Sequence, residues 1–83
     1  MNQLARSPAQ IGKIIQRERR VRQLTQSKLA DLAGLRQELI SKIESGGPGT
    51  RMDSIFDLLA ALDLEMVLTP RSKGSATDIE DIF

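Results

Sequence analysis

Eighty-three residues with 12 Lys and Arg, 11 Asp and Glu, no Cys and no His allow one small domain. The missing Cys excludes disulfides and thiolate metal sites, and the missing His removes the commonest general base and zinc ligand, so extra stability for so small a core is expected from oligomerisation. There is no run of 18 apolar residues, and the start Met1-Asn2-Gln3-Leu4-Ala5-Arg6 lacks the apolar core of a signal peptide; no membrane partner and a cytoplasmic location are expected.

Charge is divided unevenly. Residues 1–50 hold nine basic side chains (Arg6, Lys13, Arg17, Arg19, Arg20, Arg22, Lys28, Arg36, Lys42) against four acidic ones (Glu18, Asp31, Glu38, Glu44), and residues 51–83 hold three against seven. The halves therefore carry +5 and −4. Such asymmetry fits a polyanion-binding half joined to an acidic half that faces something else, although solvated helix faces would give the same balance.

In chain order, residues 1–6 read as an N-terminal arm. Ser7, Pro8 and Gln10 form a helix start, and Ile11, Ile14, Ile15 and Val21 follow at helical spacing, so a first helix is expected from about 8 to 22 with a basic outer face. Thr25 caps a second helix whose buried side is Leu29, Ala30, Leu32 and Ala33, and Gly34 ends it in a left-handed turn. A third helix runs from about 37 to 45 with Ile40 and Ile43 inward, and Gly46-Gly47-Pro48-Gly49 forces a loop. Thr50 with Asp53 signals the cap of a fourth helix, through about Leu62, whose apolar residues Met52, Ile55, Phe56, Leu58, Leu59 and Leu62 exceed one narrow stripe. That surplus suggests contact with another copy.

Residues 64–69 read as one short strand stopped by Pro70, with an extension of the fourth helix as the alternative. A solitary strand leaves its backbone unpaired, and the economical partner is the same strand of a second copy, in an antiparallel ribbon across a two-fold axis. Phe56, Leu64, Met66, Val67 and Leu68 are then the candidate dimerisation residues. Residues 7–69 make up the domain and 70–83 a polar, acidic tail, either simply disordered or a docking peptide in which Ile79, Ile82 and Phe83 engage a partner. The expected fold is mainly α: a four-to-five-helix repressor-like domain with a helix-turn-helix, plus the one C-terminal strand paired across a homodimer.

The helix-turn-helix rests on several coincident constraints: small Ala30 at the helix crossing, Gly34 four residues later, and Ile40 and Ile43 to pin the next helix. If that helix enters a major groove, Gln37 is its first reader, since Gln can pair with adenine; Glu38 faces a cytosine amine or the helix N-terminus, and Ser41 and Lys42 follow one turn on. Arg36 stands at the rim, and Leu39 is better suited to packing. Gln26, at the start of the second helix, is placed to grip a phosphate, with Thr25, Arg22, Arg19 and Lys28 flanking it. With only Phe56 and Phe83 as aromatics, stacking platforms for single strands or RNA are missing, which leaves double-stranded DNA as the target. A helical adaptor for an acidic protein is the alternative from another class. Asp78, Glu80 and Asp81 lie on a tail without a pocket and the glycine-rich loop lacks a phosphate-binding lysine, so neither an enzyme nor a cofactor is expected.

Residues 7–62 resemble the XRE-type (Cro/repressor-like) helix-turn-helix family in Leu24-Thr25-Gln26, Leu29-Ala30, Ala33-Gly34, Ile40-Ser41 and Ile43-Glu44. Ser7-Pro8 and Leu62-Asp63-Leu64-Glu65-Met66-Val67-Leu68 are similar to HipB-like antitoxins. The resemblance implies a homodimeric transcriptional repressor that also binds and neutralises a HipA-like serine/threonine kinase toxin and autoregulates the shared operon. It gives Phe83 the role of the aromatic tail residue that engages the kinase. A stand-alone repressor without a toxin is the nearest alternative. Arg36 stands where the family often has a Ser cap, and Glu38 and Leu39 replace smaller polar residues, so the operator sequence of relatives does not carry over.

Overall fold

The computed structural model describes residues 3–71 and contains four helices, α1 (Pro8–Val21), α2 (Gln26–Ala33), α3 (Gln37–Glu44) and α4 (Met52–Ala61). Ser7 caps α1: its hydroxyl accepts from the Gln10 amide at 3.2 Å, and Pro8 occupies the first turn, where no N–H is needed. The Gln10 side chain accepts in turn from the Arg6 amide. Further upstream the arm is tied back along α1 through Gln3, whose amide nitrogen donates to Glu18 at 2.9 Å and whose carbonyl oxygen accepts from Arg17 at 2.6 Å.

All four helices stop by the same device. Gln23, Gly34, Gly46 and Asp63 take φ values of +58°, +70°, +84° and +59°. The amide that follows each of them then bonds a carbonyl five residues back: Leu24 to Arg19, Leu35 to Ala30, Gly47 to Lys42 and Leu64 to Leu59. This closes orphan carbonyls at the helix end and turns the next side chain inward. Leu24, Leu35 and Leu64 accordingly pack on the core.

The core is Ile15 from α1, Leu29 and Ala30 from α2, Ile40 and Ile43 from α3, Ile55, Leu58 and Leu59 from α4, and Leu62 at the α4 C-cap. Helix α3 packs against α1 and α2, and α2 also packs against α4. The α1–α3 crossing depends on Gly12, where an added Cβ would lie 2.1 Å from the Ile43 carbonyl oxygen.

Several expectations need correction. Val21 is 71% exposed, because it falls on the Ile14 edge of α1 in the last turn rather than on the inward line of Ile11, Ile15 and Arg19. Leu32 is 54% exposed: it lies across α2 from Ala30, and an eight-residue helix buries only the Leu29, Ala30 and Ala33 side. Thr50 does not cap α4. The helix starts one residue later, Arg51 occupies the cap position without a side-chain bond, and the Thr50 hydroxyl is buried with no hydrogen-bond partner.

Helix α4 ends at Ala61, so residues 64–70 are not its extension, and they are not in a ladder either: no strand forms among the described residues. One chain supplies no neighbouring strand for this stretch. Leu64 packs on its own core, whereas Met66, Val67 and Leu68 are exposed, as is Phe56 on α4. Residues 3–6 and 64–71 flank an apolar groove of about 630 Å³ floored by Ile11, Ile14 and Leu59. No helix among the described residues is long and apolar enough to cross a membrane.

Candidate nucleic-acid interface

The N-terminus of α2 and the outer face of α3 form one polar surface. Thr25 caps α2, accepting from the Lys28 amide at 3.0 Å, and Gly34 makes the sharp exit that brings α3 across α2. Arg36 occupies the cap position of α3 with no side-chain bond to the helix, and Glu38 supplies a negative charge to the first turn. Gln26, Gln37, Glu38 and Ser41 then converge on an open depression of about 420 Å³. Four of the expected DNA-contacting residues are thereby brought together.

The others are arranged differently. Arg36 and Lys28 are exposed beside the depression's helices. Lys42 lays its stem over Gly47, whose hypothetical Cβ would meet the Lys42 Cγ at 2.6 Å, so it does not join the Ser41 cluster. Arg22 donates to the Glu18 carboxylate at 2.6 Å and to the Glu18 carbonyl at 2.9 Å. The Arg22 hydrogen bond above all holds the Glu18 carboxyl below its ordinary value, against an opposing rise from burial and with smaller help from the Gln3 amide and the charges of Arg22 and Arg17. Leu39 packs on the core, as expected.

Beneath the depression lies a buried ion pair. Arg19 donates from Nε to Glu44 Oε2 at 2.6 Å and from Nη2 to Glu44 Oε1 at 2.9 Å, and its Nη1 donates to the Leu24 carbonyl at 2.8 Å. The two side chains are only 10% and 2% exposed. Gln26 completes the network, its amide nitrogen donating to Glu44 Oε1 at 3.1 Å. Burial alone would raise the Glu44 carboxyl, but the hydrogen bonds from Arg19 and Gln26, with the charges of Arg19 and Arg20, outweigh it and hold the group below its ordinary value. Arg19 is raised, by the Glu44 hydrogen bond above all. Bidentate pairing with each guanidinium nitrogen engaged is the geometry in which a buried charge pair is tolerated.

Residues 15–68 match the helix-turn-helix family model. The chain belongs to the XRE-type helix-turn-helix family. It is similar to antitoxin HipB of Escherichia coli strain K12, 31% identical over 74 residues that cover 89% of this chain and 84% of that protein. Among solved structures, it superimposes on a chain of a HipA-HipB-O2-O3 complex with a TM-score of 0.79 at 31% identity, covering 86% of this chain and all of the other. A chain of a HipB-O4 20mer complex matches with the same score, identity and coverage.

Sequence reasoning missed the role of Arg19, which stood among the flanking phosphate contacts and is instead buried. The signal was available. Ile11, Ile15 and Arg19 recur every four residues on one line of α1, so the inward stripe ends in an arginine, and Glu44 follows Ile40 at the same spacing on α3. A charged residue on each of two packed stripes asks for a partner. Gln26 has an internal partner that the sequence did not reveal, since one N–H of its amide donates to Glu44. Among the described residues no cluster of His, Cys, Asp or Glu could hold a metal. Ile79, Ile82 and Phe83 lie outside the described residues.

Proposed function

We propose that the chain is a homodimeric DNA-binding repressor that also serves as the antitoxin of a HipA-like serine/threonine kinase, repressing the operon of the pair in the cytoplasm. The observation that carries the reading is the convergence of Gln26, Gln37, Glu38 and Ser41 on one open face of a helix-turn-helix, in a chain whose relatives are antitoxins named HipB. Two α3 helices related by the dimer axis read half-sites about 34 Å apart in successive major grooves. Gln37 and Ser41 read base edges, while Arg22, Thr25, Lys28, Arg36 and Lys42 serve the phosphates and Glu38 meets a cytosine amine.

Met66, Val67 and Leu68 pair across the two-fold axis with their counterparts and cover the apolar groove, with Phe56 adding to the contact. The domain is 7–69, and the segment 70–83 carries the kinase contact at Ile79, Ile82 and Phe83. Support for the partner comes from the matched chain of a HipA-HipB-O2-O3 complex.

Two measurements test this. Gln37→Ala is expected to cost about 1–3 kcal/mol on the selected operator, whereas Arg36→Ala weakens all duplexes alike; equal losses on operator and random DNA from both would remove Gln37 from base readout. For the partner, the full chain and a version ending at Arg71 are compared as baits in nuclease-treated lysate. Retention of a kinase by the full chain, weakened by the truncation, is expected. Retention of no kinase by either leaves a repressor acting alone.

A further inference from the structure

We infer that the N-terminal arm is part of the dimer contact: pinned along α1 by Gln3, it forms one wall of the apolar groove and there receives Leu68 of a second copy. The inference rests on the homodimer reading above and extends it beyond the pairing of the two C-terminal segments.

Residues 3–6 lie outside every helix, yet they are tied down at both ends. The Gln3 amide nitrogen donates to Glu18 at 2.9 Å, its carbonyl oxygen accepts from Arg17 at 2.6 Å, and the Arg6 amide donates to the Gln10 side chain. Ordering a chain terminus costs conformational entropy, and hydrogen bonds made in solvent return little of it. What the tether achieves is to hold Leu4 on the groove, whose floor is Ile11, Ile14 and Leu59 and whose other wall is residues 64–71. Leu4 is nevertheless 62% exposed, so the chain's own atoms leave it uncovered.

The segment on the other wall supplies the occupant. Side chains of a β-ribbon alternate between its faces, so Leu64, Met66 and Leu68 share one. Leu64 packs on its own core, Met66 is 37% exposed and Leu68 is 90% exposed. The apolar face thus runs off the end of its own domain at Leu68. Antiparallel pairing about a two-fold axis sets the end of one segment beside the start of the other, which carries Leu68 over the second copy's groove. Glu65 and Arg71, which also line the groove, agree with that sense. Antiparallel strands bring each near the opposite charge of the other copy, whereas parallel strands would set like charges together. One operation fills both grooves, so the contact closes at two copies.

The test measures the dimer dissociation constant of the full chain by sedimentation equilibrium, with folding followed by circular dichroism. Leu4→Ala and Leu68→Ala should each raise the constant about tenfold, as loss of a buried leucine contact does. Leu32→Ala, at a similarly exposed leucine away from the groove, should change it less than about twofold. Gln3→Ala should raise it as well but add nothing to Leu4→Ala, since Gln3 acts by holding Leu4 in place. The chain has no Cys, so a Leu4→Cys protein mixed with a Leu68→Cys protein under oxidant should give the mixed disulfide dimer, and Leu32→Cys in place of Leu4→Cys should not. A constant unmoved by Leu4→Ala and Gln3→Ala but raised by Leu68→Ala overturns the inference and leaves the homodimer standing. A constant unmoved by Leu68→Ala overturns it too, as does a raised constant without the mixed disulfide, which would make the arm a support for its own chain only. A wild-type chain that stays monomeric at every concentration measured overturns the homodimer reading and the inference with it.

Discussion

Gly12→Ala is expected to destabilise the domain, against the usual preference for alanine in a helix. Alanine at an exposed helical position gains about 1 kcal/mol over glycine. Gly12 is buried at the α1–α3 crossing, and its added Cβ would sit 2.1 Å from the Ile43 carbonyl oxygen and 3.0 Å from that of Glu44. An ordinary C···O contact is about 3.3 Å or longer, so the helices must part by about 1 Å at this point. The obstacle is backbone and cannot rotate away. Overpacking of this kind costs up to about 3 kcal/mol or more, which leaves a net loss of about 2 kcal/mol after the helix gain. A domain of this size holds only about 4–10 kcal/mol in all.

Urea unfolding followed by circular dichroism, at one fixed protein concentration, reads this directly: the midpoint should fall by about 2 M for a denaturant slope near 1 kcal/mol/M. Gly34→Ala is the companion variant. Nothing lies within 4 Å of its Cβ, and only the φ of +70° opposes the substitution, so a loss of about 1 kcal/mol is expected. Asn at position 34 should recover most of it, and Asn at position 12 nothing. A Gly12→Ala protein that unfolds at or above the wild-type midpoint would refute the steric account of the crossing.

Acid stability should reflect Glu44. Its folded pKa lies below the ordinary 4.5, so its contribution is fully present above that value and is lost as pH falls through the lower folded one. Unfolding midpoints should therefore decline below about pH 4.5, and Glu44→Gln should lower the neutral-pH midpoint while flattening the acid slope; an unchanged slope would assign it to other carboxylates. Arg19→Met alone strands a carboxylate in the interior and should cost about 3–5 kcal/mol, whereas Arg19→Met with Glu44→Leu recovers most of it, a cycle read by the same urea titration. Gln23→Gly should stabilise by about 1 kcal/mol, because the side chain opposes the φ of +58° that the end of α1 requires; a lower melting temperature would contradict this.

The sequence alone determined the helices and the helix-turn-helix, because their signals are local. Ser7-Pro8 and Thr25 cap the helices they precede, Gly34 permits the left-handed turn, and Ile40 and Ile43 mark the buried side of α3 at a spacing readable within one turn. Periodicity also put Gln37, Glu38 and Ser41 on the outer side of α3, though it placed Lys42 with them, and only the turn between the helices brings Gln26 of α2 to the same depression. What only tertiary structure decided depends on what lies opposite. Arg19 and Arg20 are neighbours with equal charge, yet one is buried on Glu44 of another helix and the other exposed, a distinction set by α3. Gly12 matters because of a carbonyl 31 residues away in the chain, and Leu32 is exposed because α2 is packed on the opposite side. The hydrogen bond from Gln26 to Glu44 follows from the same cause: propensity and pattern reach a few residues along the chain, whereas a hydrogen-bond partner is chosen across it.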